Sequence, residues 1–192
     1  MNKFKKILMV SACLGFLFIG GCKSPGMLKV QPVDVTTIDA NTALVTFIRP
    51  AFVGAAIQFR MWDGKKFIGH LSSQSYIQYK TTPGKHLFMA RSENWSCVNA
   101  ELEGGKSYFI IGRIRMGLLR ARVVLDPVNK GGDISQEKIN KWLTNLTATA
   151  ADPARVEAYT KAGAEQVQAA MDNIQNGKAM SECNTLNIDD YL

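Results

Sequence analysis

The sequence is poor in the residues that most enzymes use for acid–base or metal chemistry. It contains two histidines, His70 and His86, and four cysteines among 192 residues. No Cys-x-x-Cys pair and no Cys/His spacing of a zinc site occur. A Gly-x-Ser-x-Gly motif and a glycine-rich phosphate loop are also missing, since Gly104-Gly105 leads into a strand-like run. We therefore expect no metal, no cofactor and no enzymatic activity.

A long apolar run is missing too. The stretch from Ile7 to Ile19 is apolar or small throughout but covers only about 13 residues, whereas a helical membrane span needs about 20. Lys3, Lys5 and Lys6 precede it. A basic start, a short apolar middle and small residues at the exit are typical of a secretory signal peptide, which we place at residues 1–21.

The exit reads Ile19-Gly20-Gly21-Cys22 and resembles the lipobox of bacterial lipoproteins. The resemblance implies that the Cys22 sulfur carries a lipid, that the chain is cut just before Cys22, and that the new amino terminus is acylated. Several acyl chains would anchor the protein stably to a membrane. Lys23, where an Asp would favour the inner membrane, implies an outer-membrane lipoprotein facing the periplasm. An ordinary secreted protein and a buried helix are the alternatives.

Removal of the signal leaves about 170 residues, enough for one domain with a core. The formal charge is +7, and three positive charges leave with the signal. The mildly basic remainder is compatible with an anionic lipid or polymer, and we expect no nucleic-acid partner. Residues 22–41 contain two prolines and little periodicity, which predicts a lipidated tether with a reach of up to about 60 Å.

Residues 42–128 have the rhythm of short β-strands. Ile57, Phe59 and Met61 alternate with polar or larger residues, and Asp63-Gly64 is typical of a hairpin turn. Further turn signals follow at Pro83-Gly84, Gly104-Gly105 and Met116-Gly117. The pattern predicts a mainly β fold, an antiparallel β-sandwich of about seven or eight strands.

Residues 129–192 change to a helical period and predict a helical extension and tail packed on the sandwich. Asp133 or Ser135 could cap a first helix, and Asp152-Pro153 is a strong start for a second that ends near Asn176. Gly163 falls within the apolar stripe of the second helix, where it either interrupts the helix or marks a close approach to the sheet.

Two cysteines remain after Cys13 leaves with the signal and Cys22 is lipidated. These are Cys97 and Cys183. Paired thiols oxidise readily outside the cytoplasm, so we expect a Cys97–Cys183 disulfide, with two free thiols as the alternative.

Four blocks between residues 42 and 127 resemble a family of uncharacterised bacterial lipoprotein domains, the domain of unknown function 2846. They read "ALVTFIRP", "WDGKKFIGHL", "YKTTPGKHLFMA" and "LEGGKSYFI". More distantly they are similar to the PEGA domain, a small β-sandwich with a comparable Pro-Gly-x-His turn. The resemblance implies the sandwich fold and brings no catalytic residue.

Arginines alternate with apolar residues in "GRIRMGLLRAR". If this run forms a hairpin, one face carries all four arginines and the other face points to the core. Guanidinium groups so placed could bind phosphate or carboxylate. The alternatives are a solvated face that protects a sheet edge and pairing with acidic residues of the C-terminal helices. The candidate anion-binding residues are Arg113, Arg115, Arg120 and Arg122. Phe109, Ile111 and Val124, farther along that face, would need cover, which we expect from the second helix.

The sequence thus favours a lipid-anchored, non-catalytic module of a bacterial envelope. Its partner would be an envelope protein or an anionic envelope component, besides the membrane that holds its lipid. The alternatives are a cell-envelope hydrolase with an unrecognised site, for example one using Ser72, a histidine and Asp63, and an inhibitor of a secreted enzyme.

Overall fold

A computed structural model describes residues 26–116, 121–177 and 183–192, without the side chains of Met116 and Ala121. Two α-helices are present in these ranges: α1 (Gln136–Asn145) and α2 (Pro153–Gln175). The strands are β1 (Met27–Lys29), β2 (Ala43–Arg49), β3 (Phe59–Asp63), β4 (Lys66–Leu71), β5 (Ser75–Thr81), β6 (Gly84–Arg91), β7 (Trp95–Leu102), β8 (Ser107–Met116), β9 (Ala121–Pro127), β10 (Thr147–Ala151) and β11 (Asn184–Leu186).

The strands form two sheets packed as a sandwich, which confirms the predicted fold class. One sheet has the order β1-β10-β5-β2-β8-β9 and the other β11-β7-β6-β3-β4. Eight strands, β2 to β9, lie in the range predicted to be β. The sandwich is not purely antiparallel, because β2 pairs in parallel with β8, β10 with β5, and β11 with β7.

The core lies between the sheets and follows from the alternation of side chains along each strand. Phe47 and Phe88 meet edge to face across it, with ring centroids 5.3 Å apart. The inward residues of the β8–β9 hairpin include Ile110, Val123 and Leu125, all essentially inaccessible to water. This is the inward set that strand alternation predicts for the arginine-rich hairpin.

Segments outside the predicted β region contribute three strands. β1, within the predicted tether, pairs with β10, and the tail strand β11 pairs with β7. Any tether from Cys22 therefore ends by Gly26, and most of residues 22–41 belong to the domain rather than to a free linker. The Cys97–Cys183 disulfide, which joins the tail to β7, is present as predicted.

The two helices cover the outer faces of different sheets. α1, capped by Ser135, packs Ile139 and Trp142 over Phe109 and Ile111 of the six-stranded sheet. α2, capped by Asp152, lies on the five-stranded sheet instead. The expectation that the second helix covers Phe109 and Ile111 was therefore wrong. The chain passes from α1 through β10 at the side of the six-stranded sheet, and this delivers α2 to the other sheet.

Candidate binding site at one end of the sandwich

The β8–β9 hairpin projects beyond its neighbour at one end of the sandwich. The last β8 residue paired with β2 is Ile111, opposite Ile48, whereas β8 continues to Met116. The same end carries the loop of residues 50–58 between β2 and β3, and the β6–β7 turn. The turn is held against the hairpin by Asn94, which donates to and accepts from the backbone of Val123. We call this region the arginine end.

Three of the four predicted arginines share one face of the hairpin. Arg115 lies directly opposite Arg122, and Arg113 lies two residues from Arg115 along the same strand, so all three emerge on one side. Each is exposed to solvent. The fourth, Arg120, lies outside the described residues.

Asp126 is an acidic partner on this face that sequence reasoning missed. Its carboxylate lies 2.9 Å from Arg113 Nε and 3.9 Å from Arg115 Nη2. The alternative of pairing with the C-terminal helices is not what the described part of the chain shows, because the carboxylate comes from the neighbouring strand β9. Asp126 could have been found from the sequence, since the hairpin register places it beside Arg113. The face carries three guanidinium groups against this one carboxylate.

An exposed apolar loop, also missed by the sequence reasoning, lies at the arginine end. Phe52 is 70 % exposed and Val53 67 % exposed. Gly54 (φ +69°) packs against Ile114 of β8, where an added Cβ would come within 2.4 Å of the Ile114 side chain. Ser73 Oγ donates to the carbonyl of Ala51 at 2.9 Å. The loop is therefore fixed at its base while its tip points away from the core.

Arg49 holds this loop from below. Its side chain is almost fully buried and donates to the carbonyls of Gly54 (2.7 Å) and Ile57, with a longer bond to Leu71 (3.4 Å). The guanidinium also lies 4.2 Å from the centre of the Phe59 ring. Burial lowers the pKa of Arg49 to about 10, so the side chain stays charged at neutral pH.

Two more arginines flank the loop on the five-stranded sheet. Arg60 of β3 is exposed and lies opposite Arg91 of β6. The Arg91 guanidinium is 5.3 Å from the Trp95 ring, and burial, followed by the nearby charge of Arg60, lowers its pKa. Arg60 also lines a cavity of about 370 Å³ together with Ala56, Gln58, His70 and Tyr159. The arginine end thus has cationic side chains on both sheets.

His86 is engaged on both ring nitrogens. Its Nδ1 donates to the Asp63 carboxylate at 2.9 Å, and its Nε2 lies 2.9 Å from the carbonyl oxygen of Thr82. Both partners are acceptors, which favours the doubly protonated ring. The hydrogen bond to Asp63 is the main reason that the pKa of His86 is raised. Tyr79 donates to the same carboxylate at 3.1 Å, so this cluster ties the β3–β4 turn to the start of β6.

His70 is buried between the rings of Phe67 and Tyr159, each with its centroid 5.0 Å away. Burial, and secondarily the charge of Arg60, lowers its pKa. The neutral ring therefore predominates in the folded protein near neutral pH.

The suggested Ser72–His–Asp63 arrangement does not assemble. Ser72 follows Leu71, which pairs with Phe59 at the opposite end of β3 from Asp63. Four strand residues correspond to about 13 Å. The Asp63 carboxylate is bound by His86 rather than by His70.

The described residues contain no group of three or more histidine, cysteine, aspartate or glutamate side chains arranged to hold a metal ion. Within the same ranges no helix is both long enough and apolar enough to cross a membrane. No family model, no curated protein and no solved structure matches the chain.

Proposed function

We propose that this protein is a lipid-anchored, non-catalytic module of a bacterial envelope that binds an anionic envelope component through its arginine end. One observation carries the proposal. Arg115 and Arg122 are directly opposite each other on an exposed, projecting hairpin. Like charges placed directly across two strands destabilise a sheet, so the pair is costly unless an anion is bound there.

The charges around the pair leave it available for a ligand. Asp126 is the nearest carboxylate, but its close contact is with Arg113 at 2.9 Å, and Arg115 is 3.9 Å away. Arg115 keeps 71 % of its side chain exposed. Guanidinium groups bind phosphate and carboxylate by paired hydrogen bonds. We therefore assign phosphate- or carboxylate-bearing ligands, such as anionic lipid headgroups or envelope polymers, as the class that fits.

The surroundings of the two histidines favour binding over catalysis. His86 has acceptors on both nitrogens, and His70 is enclosed by aromatic rings. The Asp63 carboxylate, which a relay through Ser72 would need, lies about 13 Å along β3 from the end next to Ser72. The resemblance to the domain of unknown function 2846 and, distantly, to the PEGA domain agrees with this proposal, since it brings no catalytic residue.

The membrane attachment is also part of the proposal. Cys22 would carry the lipid, and Lys23 favours the outer membrane with the domain facing the periplasm. Cys22→Ser should release the protein into the soluble fraction and abolish labelling by acyl chains. Continued labelling of that variant together with continued membrane partition would refute the lipoprotein assignment.

The anion-binding role is tested by flotation of the non-lipidated domain, from Lys23 onward, with phosphatidylglycerol-containing liposomes. Replacing the four arginines of the hairpin by Gln should remove most of the flotation, and the wild type should float less as salt rises, because exposed charges are screened beyond about 8 Å at physiological ionic strength.

A matched control removes four positive charges at the opposite end of the sandwich. There Lys65, Lys66, Lys80 and Lys85 are exposed, and their replacement by Gln changes the net charge equally. If the lysine variant loses as much binding as the arginine variant, the arginine end is not the site. If neither wild type nor variant floats, the arginines serve only to protect the edge strand β9.

A further inference from the structure

The Phe52–Val53 tip is an apolar feature that the anion-binding role leaves unexplained. These two residues are far more exposed than any other large hydrophobic residue in the described part of the chain, the next being Leu28 at 47 %. Adjacent exposed apolar side chains on a loop mark a contact surface more often than isolated ones do.

The loop is built to hold this tip outward. Arg49 binds the carbonyls of Gly54 and Ile57 from inside the sandwich, and Ser73 binds the carbonyl of Ala51. Burial of a cation is costly unless it is well compensated, and the hydrogen bonds of Arg49 to these carbonyls supply that compensation. The tip is therefore fixed from both sides rather than free to fold back onto the core.

The lipid anchor would hold the whole domain close to a membrane. Gly26 packs against the ring of Tyr159: a Cβ added at Gly26 would lie 2.7 Å from Tyr159 Cε2. Tyr159 lines one cavity together with Ala56 of the loop. The four residue steps from Cys22 to Gly26 span at most about 14 Å. This short connection would keep the domain at the bilayer. Met27 pairs with Ala151, whereas Thr147 pairs with Ser75 at the arginine end, so the attachment lies along the side of the sandwich and the surface of the domain decides which face meets the bilayer.

Charge around the tip fits an anionic bilayer. Arg115 and Arg122 lie on the side of the six-stranded sheet, and Arg60 and Arg91 lie on the other side. The acidic groups nearby are Glu93, which is exposed in the β6–β7 turn, and the half-buried Asp126, which is already bound to Arg113. An apolar tip with basic flanks matches the arrangement of acyl chains beneath phosphate headgroups.

We infer that Phe52 and Val53 insert into the headgroup region of the membrane that holds the protein, with the flanking arginines on lipid phosphates. The inference rests on the proposed lipid anchor at Cys22. The ligand of the arginine end would then be the bilayer itself. The module would be held at a defined orientation on the membrane rather than on a flexible tether.

The test places an environment-sensitive fluorophore on the processed lipoprotein in phosphatidylcholine–phosphatidylglycerol vesicles. With Cys22 acylated and Cys97–Cys183 bonded, Phe52→Cys supplies one reactive thiol. Lys85→Cys at the opposite end and Leu28→Cys beside the attachment point are the matched positions. Spin-labelled lipid should quench the label at position 52, whereas aqueous iodide should quench it weakly. The label at position 85 should behave in the opposite way.

Two further measurements make the result specific. Arg115→Gln with Arg122→Gln should reduce lipid quenching at position 52, and so should vesicles of phosphatidylcholine alone. Iodide quenching at position 52 equal to that at position 85 would overturn the inference, and lipid quenching at position 28 alone would assign the membrane face to the β1 edge instead.

Mass spectrometry of the purified protein distinguishes failure of the proposed anchor from failure of the proposed insertion. Absence of acyl groups on Cys22 contradicts the proposed anchor, and the position-52 label is then measured in the Cys22→Ser chain with added vesicles. Lipid quenching there still supports insertion of the loop, and iodide quenching in both backgrounds contradicts it.

Discussion

Gly163 of α2 lies directly on the indole ring of Trp62. A Cβ at Gly163 would be 2.3 Å from Trp62 Cη2 and 2.6 Å from Cζ2. Trp62 is itself buried, in edge-to-face contact with Phe67. The glycine in the middle of the helix therefore permits close approach of α2 to the sheet and does not interrupt the helix.

Gly163→Ala should destabilise the protein although alanine is the better helix former. The propensity gain is about 1 kcal/mol, whereas a forced shift of a packed ring costs about 1–3 kcal/mol. We expect a net loss of up to about 2 kcal/mol, measured by urea unfolding. Adding Trp62→Phe, which makes room for the methyl group, should cost less in the Gly163→Ala background than alone. Additive effects would show that the two residues do not press on each other. Ala162→Gly, on the exposed side of α2, serves as the propensity control.

The two histidines should give stability opposite dependences on pH. The folded pKa of His86 is raised by its bond to Asp63, so its stabilising effect is complete below the unfolded pKa of about 6.5 and is lost as pH rises through the folded value. The folded pKa of His70 is lowered by burial, so its contribution is present above about 6.5 and is lost as pH falls through the folded value.

Urea unfolding of His86→Gln and His70→Phe at pH values from about 5 to about 8 checks this. The difference between wild type and His86→Gln should shrink toward alkaline pH. His70→Phe should remove part of the loss of stability at acidic pH. Parallel pH profiles for both variants and the wild type would contradict the assigned protonation states.

Removal of Arg49 should release the loop of residues 50–58. Arg49→Met keeps an apolar stem but leaves the Gly54, Ile57 and Leu71 carbonyls without their donor. Hydrogen bonds to charged groups contribute about 1.5–3 kcal/mol each, so loss of the two close bonds should lower the free energy of unfolding by roughly 3–6 kcal/mol in urea unfolding. Chymotrypsin should cleave after Phe52 faster. Arg91→Met is the matched control, because its described contact is the Trp95 ring, and a cation–π contact is worth about 0.5–2 kcal/mol. Equal proteolysis of both variants would contradict a specific role for Arg49.

Loss of the disulfide should lower stability substantially. Cys97 and Cys183 are separated by 86 residues, for which the chain-entropy treatment gives about 4–5 kcal/mol as an upper figure. The double Cys→Ala variant should unfold at lower urea concentration, and the wild type should approach it on addition of reductant. Mass spectrometry without reduction should find the linked peptides. Quantitative alkylation of both thiols without reductant would refute the bond.

Local signals in the sequence were sufficient for much of the sandwich. The turn at Asp63-Gly64 and the antiparallel pairing of β8 with β9 are in place. The caps at Ser135 and Asp152 begin the two helices. These features depend on a few adjacent residues, so short-range patterns predict them. The disulfide could be predicted because Cys97 and Cys183 are the two cysteines that remain outside the predicted signal peptide and lipobox.

Pairing between strands that are far apart in the chain could not be predicted from such local patterns. β1, β10 and β11 are short strands whose partners lie far away in the chain, and the parallel pairs depend on which edges are free after the sheets form. The tail shows the consequence: Asp190, in an acidic pair near the end of the sequence, is buried and accepts hydrogen bonds from the backbone of Lys130 and Asn187.

The sequence by itself determined the two-face alternation of the arginine hairpin, because side chains of a strand alternate whatever lies beside it. The tertiary structure alone decided that Asp126 contacts Arg113 on that face and that the loop of residues 50–58 packs on the opposite, inward side of the hairpin through Gly54 and Ile114. It also decided that α1 rather than α2 covers Phe109. The apolar stripe of an amphipathic helix does not specify which apolar surface it will cover. Only the path of the chain through β10 places each helix on its own sheet.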